Sequence, residues 1–253
     1  MNFSVCTDSV FRGIPTPGAM EIVRSTGCDT IEFWTWWDKD ITEIREASTN
    51  LGMEVSAFCT NFYSMIDKKT QINFIEGLKK SAETACKLSC RRLIAQVGNV
   101  LPGTDPKDQT KILLDTLAKC IPVLKEYNII LLFEPLNTLV DHKGYFLSGS
   151  KEAFEIADAV NDSHVKVLFD IYHQVVMDED PCKVLPDNIG YIGHFHSAGV
   201  PGRNEITRSP YDYSGVLELI ANLGYTGFVG LEYMPREDIE TELRTLFSRY
   251  GDL

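Results

Sequence analysis

Eight short apolar runs, separated by longer amphipathic stretches, constrain the fold of this chain more than any other feature. Each run is rich in β-branched or aromatic residues, a composition typical of β-strands. The runs are NFSVCT, DTIEFW, EVSAFC, RRLIAQVG, NIILLFE, VKVLFD, YIGHFH and GFVGLE. Their starts recur about every 25–38 residues, which is the length of one strand–helix unit. The pattern therefore predicts parallel strands joined by helices.

The segments between the strands have the features of helices. Their apolar residues recur at steps of three and four, the helical period. Gly27, Gly52 and Gly224 stand just before the next strand, where glycine accepts the left-handed conformation that ends a helix. Asp105 and Pro106 form an N-cap and a first-turn proline. The predicted helical segments are GAMEIVRST, ITEIREASTN, TQINFIEGLKKSAETACKL, QTKILLDTLAKCIPVLKEY, KEAFEIADAV, SGVLELIANL and EDIETELRTLF.

Two α/β architectures alternate strands and helices in this way. A doubly wound open sheet usually carries a glycine-rich phosphate turn after its first strand, but here the first strand is followed by DSVFRGIPTPG. The length of 253 residues matches a parallel (β/α)8 TIM barrel of roughly 250 residues. No linker or low-complexity segment interrupts the pattern. We therefore expect one TIM barrel domain that spans residues 1–253.

Charge and composition narrow the partners and the location that we expect. The formal net charge of −12 disfavours a nucleic-acid partner, because phosphate binding requires a basic surface. No apolar run approaches the roughly 20 residues of a membrane span, and the first residues do not resemble a secretion signal. We therefore expect a cytoplasmic protein with no membrane partner. Its seven cysteines include no C-x-x-C pair and are interpreted as reduced core residues.

The last four predicted strands each end in a side chain that can bind a metal ion. These residues are Glu134, Asp170, His196 and Glu232. The carboxyl ends of barrel strands meet at one mouth, so the four side chains should converge there. Three carboxylates would repel each other without a cation, and a divalent ion relieves that repulsion. One imidazole and three carboxylates suit Mn²⁺, Mg²⁺, Co²⁺ or Zn²⁺, and we expect one such ion.

Further polar side chains follow the same strand ends. His173 lies three residues beyond the strand-end aspartate, and we place it in a loop at the mouth. Arg203 stands in a loop bent by glycine and proline, and we interpret it as a clamp for a substrate oxygen or carboxylate. His194 should support the site from one layer deeper in the barrel. His142 and His164 are expected at the surface.

Three tryptophans follow the second strand, and the sequence leaves their roles open. Trp34, Trp36 and Trp37 could wall a sugar pocket, pack under the next helix or form a contact in a homo-oligomer. Trp34 directly follows the strand and is our candidate for substrate binding. Phe62 and Tyr63, after the third strand, pose the same alternatives.

Motifs along most of the chain resemble the xylose-isomerase-like barrel superfamily, and within it most closely the hydroxypyruvate isomerase family. The motifs are FEPLN at 133–137, GYFLS at 144–148, FDIYH at 169–173, GHFHSAGVPGRNE at 193–205 and GLEYMP at 230–235. The resemblance implies that Glu134 and Glu232 are both metal ligands and the catalytic acid–base pair. It also implies that His173 and Arg203 hold substrate oxygens.

Two positions depart from the family pattern in opposite directions. Hydroxypyruvate isomerases often carry glutamine where this chain has His196, whereas the related ketose 3-epimerases have histidine there. Those epimerases usually carry a substrate-binding glutamate where this chain has Val140. The superfamily's abasic-site nucleases use additional histidine ligands for three zinc ions. This acidic chain has only five histidines, which argues against that activity.

The residues therefore predict an enzyme that moves a proton next to a carbonyl group of a sugar or sugar acid. The first hypothesis is aldose–ketose isomerisation of a small hydroxy-oxo acid, such as hydroxypyruvate or a 2-oxo-tetronate. The alternatives are 3-epimerisation of a free ketose and dehydration or β-elimination at the same enolate-forming site. A sugar-binding module without activity would not need two acids beside a metal.

Overall fold

Eight parallel strands form a closed barrel, in chain order, in the computed structural model, which describes all 253 residues. The predicted TIM barrel is therefore confirmed, and each predicted run coincides with one strand, although β7 extends one residue further, to Ser197. The strands are β1 (Asn2–Cys6), β2 (Thr30–Phe33), β3 (Glu54–Cys59), β4 (Arg92–Gln96), β5 (Ile130–Glu134), β6 (Val165–Asp170), β7 (Ile192–Ser197) and β8 (Phe228–Leu231).

The pairing of the first and last strands closes the barrel. Asn2 pairs with Phe228, and the register continues to Val5 and Leu231. Closure leaves no exposed strand edge that could pair with another chain. The strands carry fully buried apolar side chains between the barrel and its helices, which explains why their sequences are apolar nearly throughout.

Ten helices accompany the strands. They are α1 (Thr7–Val10), α2 (Thr16–Ser25), α3 (Ile41–Leu51), α4 (Gln71–Lys87), α5 (Pro106–Tyr127), α6 (Ser150–Val160), α7 (Ile171–Val176), α8 (Pro181–Asn188), α9 (Tyr213–Asn222) and α10 (Ile239–Tyr250). The seven predicted helices are confirmed, whereas the short helices α1, α7 and α8 were not predicted. None of the helices is long and apolar enough to cross a bilayer.

The helix boundaries follow the predicted signals. The Asp105 carboxylate accepts a hydrogen bond from the backbone nitrogen of Lys107 at 2.8 Å, which caps α5. Gly52 ends α3 in the left-handed conformation, with φ of 62°. The interpretation of the cysteines needs a correction, because Cys86 and Cys182 are exposed and only the other five are buried. Cys86 is an exposed residue of α4.

Candidate active site

Four side chains from the last four strands meet at the carboxyl-terminal mouth of the barrel. They are Glu134, Asp170, His196 and Glu232, all buried, and each offers a nitrogen or oxygen atom within 4.8 Å of the other three. Glu134 and Asp170 end β5 and β6, whereas Glu232 directly follows β8. Parallel strands of a closed barrel bring these chain-distant positions to one point.

The cluster contains polar atoms that the protein leaves without partners. His196 Nδ1 lies 3.3 Å from Glu232 Oε2 and 3.9 Å from Glu134 Oε1. Glu134 Oε1, Asp170 Oδ2 and His196 Nδ1 are buried and accept or donate no hydrogen bond. Buried polar atoms are nearly always paired, so a group of three facing one another fits a ligand that the protein itself does not supply. The donor set of one nitrogen and several carboxylate oxygens could hold a divalent ion.

The acids of this cluster differ in electrostatic environment. Burial raises the pKa of Glu134 well above its usual range, and the charges of Glu232 and Asp170 add to the rise. Burial also raises the pKa of Asp170, to about 6. Burial pushes the pKa of Glu232 upward as well, but the charge of Arg203 and the neighbouring His196 outweigh it and hold that pKa well below its usual range. Without a cation, Glu134 and Asp170 would therefore be driven to take up protons, whereas Glu232 would stay ionised.

Glu32 lies behind the cluster and was not predicted as a site residue. Its Oε1 is 2.8 Å from His196 Nε2, and its Oε2 accepts hydrogen bonds from His194 Nε2 at 2.9 Å and Ser4 Oγ at 2.7 Å. The three residues Glu32, His194 and His196 could also hold an ion. However, Glu32 Oε2 already has its partners within the protein. The geometry agrees with a supporting position for His194, and the only sequence signal for Glu32 was an acid inside an apolar strand.

Two side chains contact Glu232 from the cavity side. Arg203 Nη2 donates a hydrogen bond to Glu232 Oε2 at 2.6 Å, and its guanidinium lies over the Tyr172 ring, 5.4 Å from the centroid. Trp34 Nε1 donates to the other oxygen, Glu232 Oε1. Arg203 adopts φ of 57°, a conformation that is rare outside glycine and found at functional sites. The predicted mouth positions of Arg203 and Trp34 are thus observed.

His173 lies in helix α7 and not in a loop, which corrects the sequence prediction of its local structure. Asp170 caps this helix, because its Oδ1 accepts a hydrogen bond from the backbone nitrogen of Tyr172 at 2.8 Å. A strand-end aspartate therefore also starts a helix, a short-range signal that the sequence contained. His173 is fully buried, and its Nε2 lies 3.5 Å from Asp170 Oδ2.

A cavity with a volume of about 220 Å³ is lined by Glu134, His173, His196, Arg203 and Glu232. Phe62 also lines it, which was one of the alternatives left open for this residue, whereas Gln96 and His142 line it without having been predicted to bind substrate. His142 was expected at the surface, but its ring packs edge-on against His173, with 5.2 Å between centroids. The long loop after β5 folds back over the mouth, and a loop path of this kind has no clear sequence signal.

The three tryptophans have separate positions. Trp34 lines the cavity. Trp36 packs partly buried against the core, and its Nε1 donates to Ser81 Oγ at 3.0 Å. Trp37 is exposed and contacts the edge of Phe62, with 5.2 Å between ring centroids. Only the first of the three therefore reaches the mouth, while the second packs against the helices.

Comparison with known proteins places the chain in a family. Residues 20–249 match the family described as xylose isomerase-like TIM barrel. A putative hydroxypyruvate isomerase from Homo sapiens is 32% identical over 190 residues, which cover 72% of this chain and 68% of the relative. The hydroxypyruvate isomerase of Escherichia coli is 29% identical over 252 residues, or 96% of this chain and 97% of the relative. A 2-oxo-tetronate isomerase from Cupriavidus necator is 34% identical over 54% of this chain and 55% of the relative.

Solved structures share the fold over nearly the whole chain. One described as an AP endonuclease, family 2, from Brucella melitensis has a TM-score of 0.91 and 26% identity, covering 98% of both chains. A D-psicose 3-epimerase from Clostridium cellulolyticum H10 has a TM-score of 0.85 and 16% identity, covering 99% of both. The IOLI protein with a bound zinc atom has a TM-score of 0.82 and 17% identity, covering 100% of this chain and 98% of the other.

The protein belongs to the xylose isomerase-like TIM barrel family. Its relatives in sequence are named as isomerases, and it is an enzyme of the isomerase class.

Proposed function

We propose that this protein is a divalent-metal-dependent aldose–ketose isomerase for a small hydroxy-oxo acid of the hydroxypyruvate or 2-oxo-tetronate type. One observation carries the proposal: Glu134, Asp170, His196 and Glu232 bring buried ligand atoms within 4.8 Å of one another. All of them except Asp170 line a cavity that Arg203 also lines. The names of the relatives, hydroxypyruvate isomerase and 2-oxo-tetronate isomerase, support the same class of substrate.

The four clustered side chains would hold the ion. The unpaired atoms Glu134 Oε1, Asp170 Oδ2 and His196 Nδ1 fit this role, because an ion would satisfy all three at once. Mn²⁺, Mg²⁺, Co²⁺ and Zn²⁺ all accept such a mixture of imidazole and carboxylate. A bound ion of this kind polarises a substrate carbonyl, acidifies the adjacent C–H bond and stabilises the enediolate charge.

Glu134 and Glu232 would carry the proton transfer. One carboxylate removes the proton from the carbon that bears the hydroxyl group, and the other gives a proton to the former carbonyl carbon. A second proton moves between the two substrate oxygens, which exchanges the positions of carbonyl and hydroxyl. Both glutamates line the cavity, and their neighbours hold their pKa values apart, Glu134 high and Glu232 low. Such a difference is typical of acid–base pairs.

Arg203 supports an acidic substrate. Three protein carboxylates and a divalent ion leave one negative charge, which Arg203 neutralises. Without Arg203, that negative charge would repel a substrate carboxylate. Its planar fork can bind a carboxylate through two hydrogen bonds. The cavity of about 220 Å³ is smaller than the roughly 300–1,000 Å³ of drug-sized pockets, which favours a short substrate.

A nuclease activity fits the molecule less well, although the Brucella melitensis structure is described as an AP endonuclease. The net charge of −12 opposes the binding of a phosphate backbone. The chain also has only five histidines, and one of those beside the cluster, His194, already donates to Glu32.

A substrate panel followed in D₂O by NMR tests the proposal. Mn²⁺- or Mg²⁺-loaded enzyme should convert hydroxypyruvate or a 2-oxo-tetronate and place deuterium on the carbon next to the new carbonyl. The Glu134→Gln variant is the control for spontaneous exchange. Turnover of neutral ketoses alone, with exchange at carbon 3, would replace the proposal with a 3-epimerase. Loss of water from the substrate would identify a lyase.

A further inference from the structure

We infer that Asn137 is a positioning residue that holds the imidazole of His173 with its proton on Nε2, so that this nitrogen donates a hydrogen bond to a substrate oxygen. The role of the substrate oxygen rests on the proposed function, whereas the position of the proton rests on the contacts of Asn137 alone. Asn137 is the last residue of the FEPLN segment, and neither the metal cluster nor the acid–base pair requires it.

The surroundings of Asn137 fix which way its amide points. Its Oδ1 accepts hydrogen bonds from the backbone nitrogens of Val140 and Asp141, each at 3.0 Å. Its Nδ2 donates to the Asp141 carboxylate at 2.7 Å. A backbone N–H can only donate and a carboxylate can only accept, so both sides of the amide require the same orientation. The side chain is also fully buried, which excludes competing water.

The amide orientation decides the tautomer of the neighbouring imidazole. Asn137 Nδ2 lies 2.6 Å from His173 Nδ1. An amide nitrogen only donates, so His173 Nδ1 must accept and carries no proton. An imidazolium carries a proton on both nitrogens, so a ring whose Nδ1 accepts a hydrogen bond is neutral. The single proton of a neutral ring is then on Nε2.

The Nε2 atom of His173 is free to act on a ligand. It is buried, forms no hydrogen bond in the protein although Asp170 Oδ2 lies 3.5 Å away, and belongs to a residue that lines the cavity. A buried donor without a partner is rare and fits a site that a ligand completes. Tyr172 supports the arrangement from outside, because its hydroxyl donates to the same Asp141 carboxylate at 2.9 Å.

In this arrangement, two side chains that line the cavity offer only hydrogen-bond donors to a substrate. His173 Nε2 and the Arg203 guanidinium can only donate, so they favour a substrate oxygen that accepts hydrogen bonds. An enediolate or a carboxylate oxygen satisfies this demand best, since both carry negative charge. Asn137 would therefore affect catalysis through His173 without touching the substrate.

The first test measures the proton directly and needs no substrate. Protein labelled with ¹⁵N-histidine and saturated with diamagnetic Mg²⁺ is examined by ¹⁵N NMR, with the His173→Gln variant to assign the signals. We expect His173 to show a protonated Nε2 and an unprotonated Nδ1. A proton on Nδ1, or rapid exchange between the tautomers, would overturn the inference. Because the result does not depend on turnover, it stands or falls separately from the proposed isomerase activity.

The second test exchanges the amide of Asn137 with the carboxylate of Asp141. Asn137→Asp alone would place two carboxylates together, so it is combined with Asp141→Asn, which keeps one amide and one carboxylate. The carboxylate at 137 can only accept, so the proton of His173 should move to Nδ1. We expect kcat on the substrate found in the panel to fall about 10²-fold, as for the loss of one oxyanion donor, with KM changed much less.

A matched control separates this effect from the change of side chain. Asn50→Asp makes the same substitution on the exposed face of α3 and should leave both kcat and the His173 signals unchanged. An unchanged tautomer in the folded exchange variant would show that Asn137 does not set it. A shifted tautomer with full kcat would show that His173 is not a donor in the reaction.

Discussion

Single residues of one chemical type have different roles in this site because their neighbours differ. Glu134 and Glu232 are both buried glutamates at strand ends, yet only Glu232 contacts Arg203 and Trp34. Burial and nearby carboxylates raise the pKa of Glu134, whereas Arg203 and His196 outweigh burial and lower that of Glu232. The proposed division of labour between acid and base would therefore depend on contacts made across the mouth.

The two glutamates should be indispensable for turnover. Glu134→Gln and Glu232→Gln preserve side-chain shape but remove the proton-transfer group and weaken an ion ligand. We expect kcat to fall by at least about 10²–10⁴-fold in each variant, measured on the substrate found in the panel. Circular dichroism should show an intact barrel. A modest loss at either position would mean that the acids have been assigned wrongly.

Arg203 should distinguish acidic from neutral substrates. Arg203→Met removes the guanidinium that donates to Glu232 and faces the cavity. For an acid substrate, kcat/KM should fall by a factor equivalent to about 2 kcal/mol or more, because a charged hydrogen bond is lost. A neutral ketose, if it reacts at all, should lose less. Equal losses for both kinds of substrate would remove the argument for a carboxylate clamp.

His194 and His196 should differ in their effect on ion binding. His196→Ala removes a proposed ligand, whereas His194→Gln alters only a partner of Glu32. Isothermal titration with Mn²⁺ should show no measurable binding in His196→Ala. In His194→Gln, affinity should fall by about 10–100-fold at most, the usual effect of an outer partner. If His194→Gln abolished binding as completely, the two assignments would have to be exchanged.

At the scale of an element, a glycine in strand β8 allows side chains of the site to approach one another closely. A Cβ atom at Gly230 would lie 2.6 Å from His196 Cδ2 and would also collide with Glu32 Oε1. Glycine is therefore required for the close approach of β7, β8 and the Glu32 side chain. Asp170 contributes to two elements of the site, because one of its oxygens caps helix α7 and the other faces the cluster.

Gly230→Ala should therefore destabilise the protein and disturb the site. Overpacking in a rigid core typically costs about 1–3 kcal/mol, and we expect a loss of unfolding free energy in this range by urea denaturation. Ion affinity should fall as well, since His196 must move. Gly190→Ala is the matched control, because a Cβ there meets no atom within 4 Å. Wild-type stability and ion affinity in Gly230→Ala would contradict the close packing described here.

At the scale of the whole molecule, the proposed ion links the last four strands of the barrel. An ion that binds the folded state alone stabilises it by mass action. Treatment with a chelator should abolish activity and lower Tm, and added Mn²⁺, Mg²⁺ or Co²⁺ should restore both. Elemental analysis must accompany the assay. Full activity in a demonstrably metal-free preparation would refute the metal site.

Most of the fold could be predicted from short-range patterns. Alternating apolar and amphipathic segments identified all the strands and the longer helices, because each strand must be buried and each helix must present one apolar face. The short helices α7 and α8 were missed, although Asp170 and Asp180 cap them with their side chains. Segments of six and eight residues are too short for an apolar period to be recognised.

The cluster could be predicted because its position follows from the barrel. Once Glu134, Asp170, His196 and Glu232 are known to end parallel strands, closure alone brings them to one mouth. The local sequence thus predicted both where the strands end and which metal-binding side chains stand there.

Contacts between distant segments depended on the folded chain. Glu32 reaches His196 from 164 residues away through the open space at Gly230, and the path of the loop after β5 brings His142 beside His173. The same loop carries Asn137 to the imidazole that it orients. Pattern and spacing specify which face of a strand or helix is buried, because that depends on neighbours along the chain. They do not specify which two buried side chains touch, because that depends on how the strands register and how the loops cross the mouth.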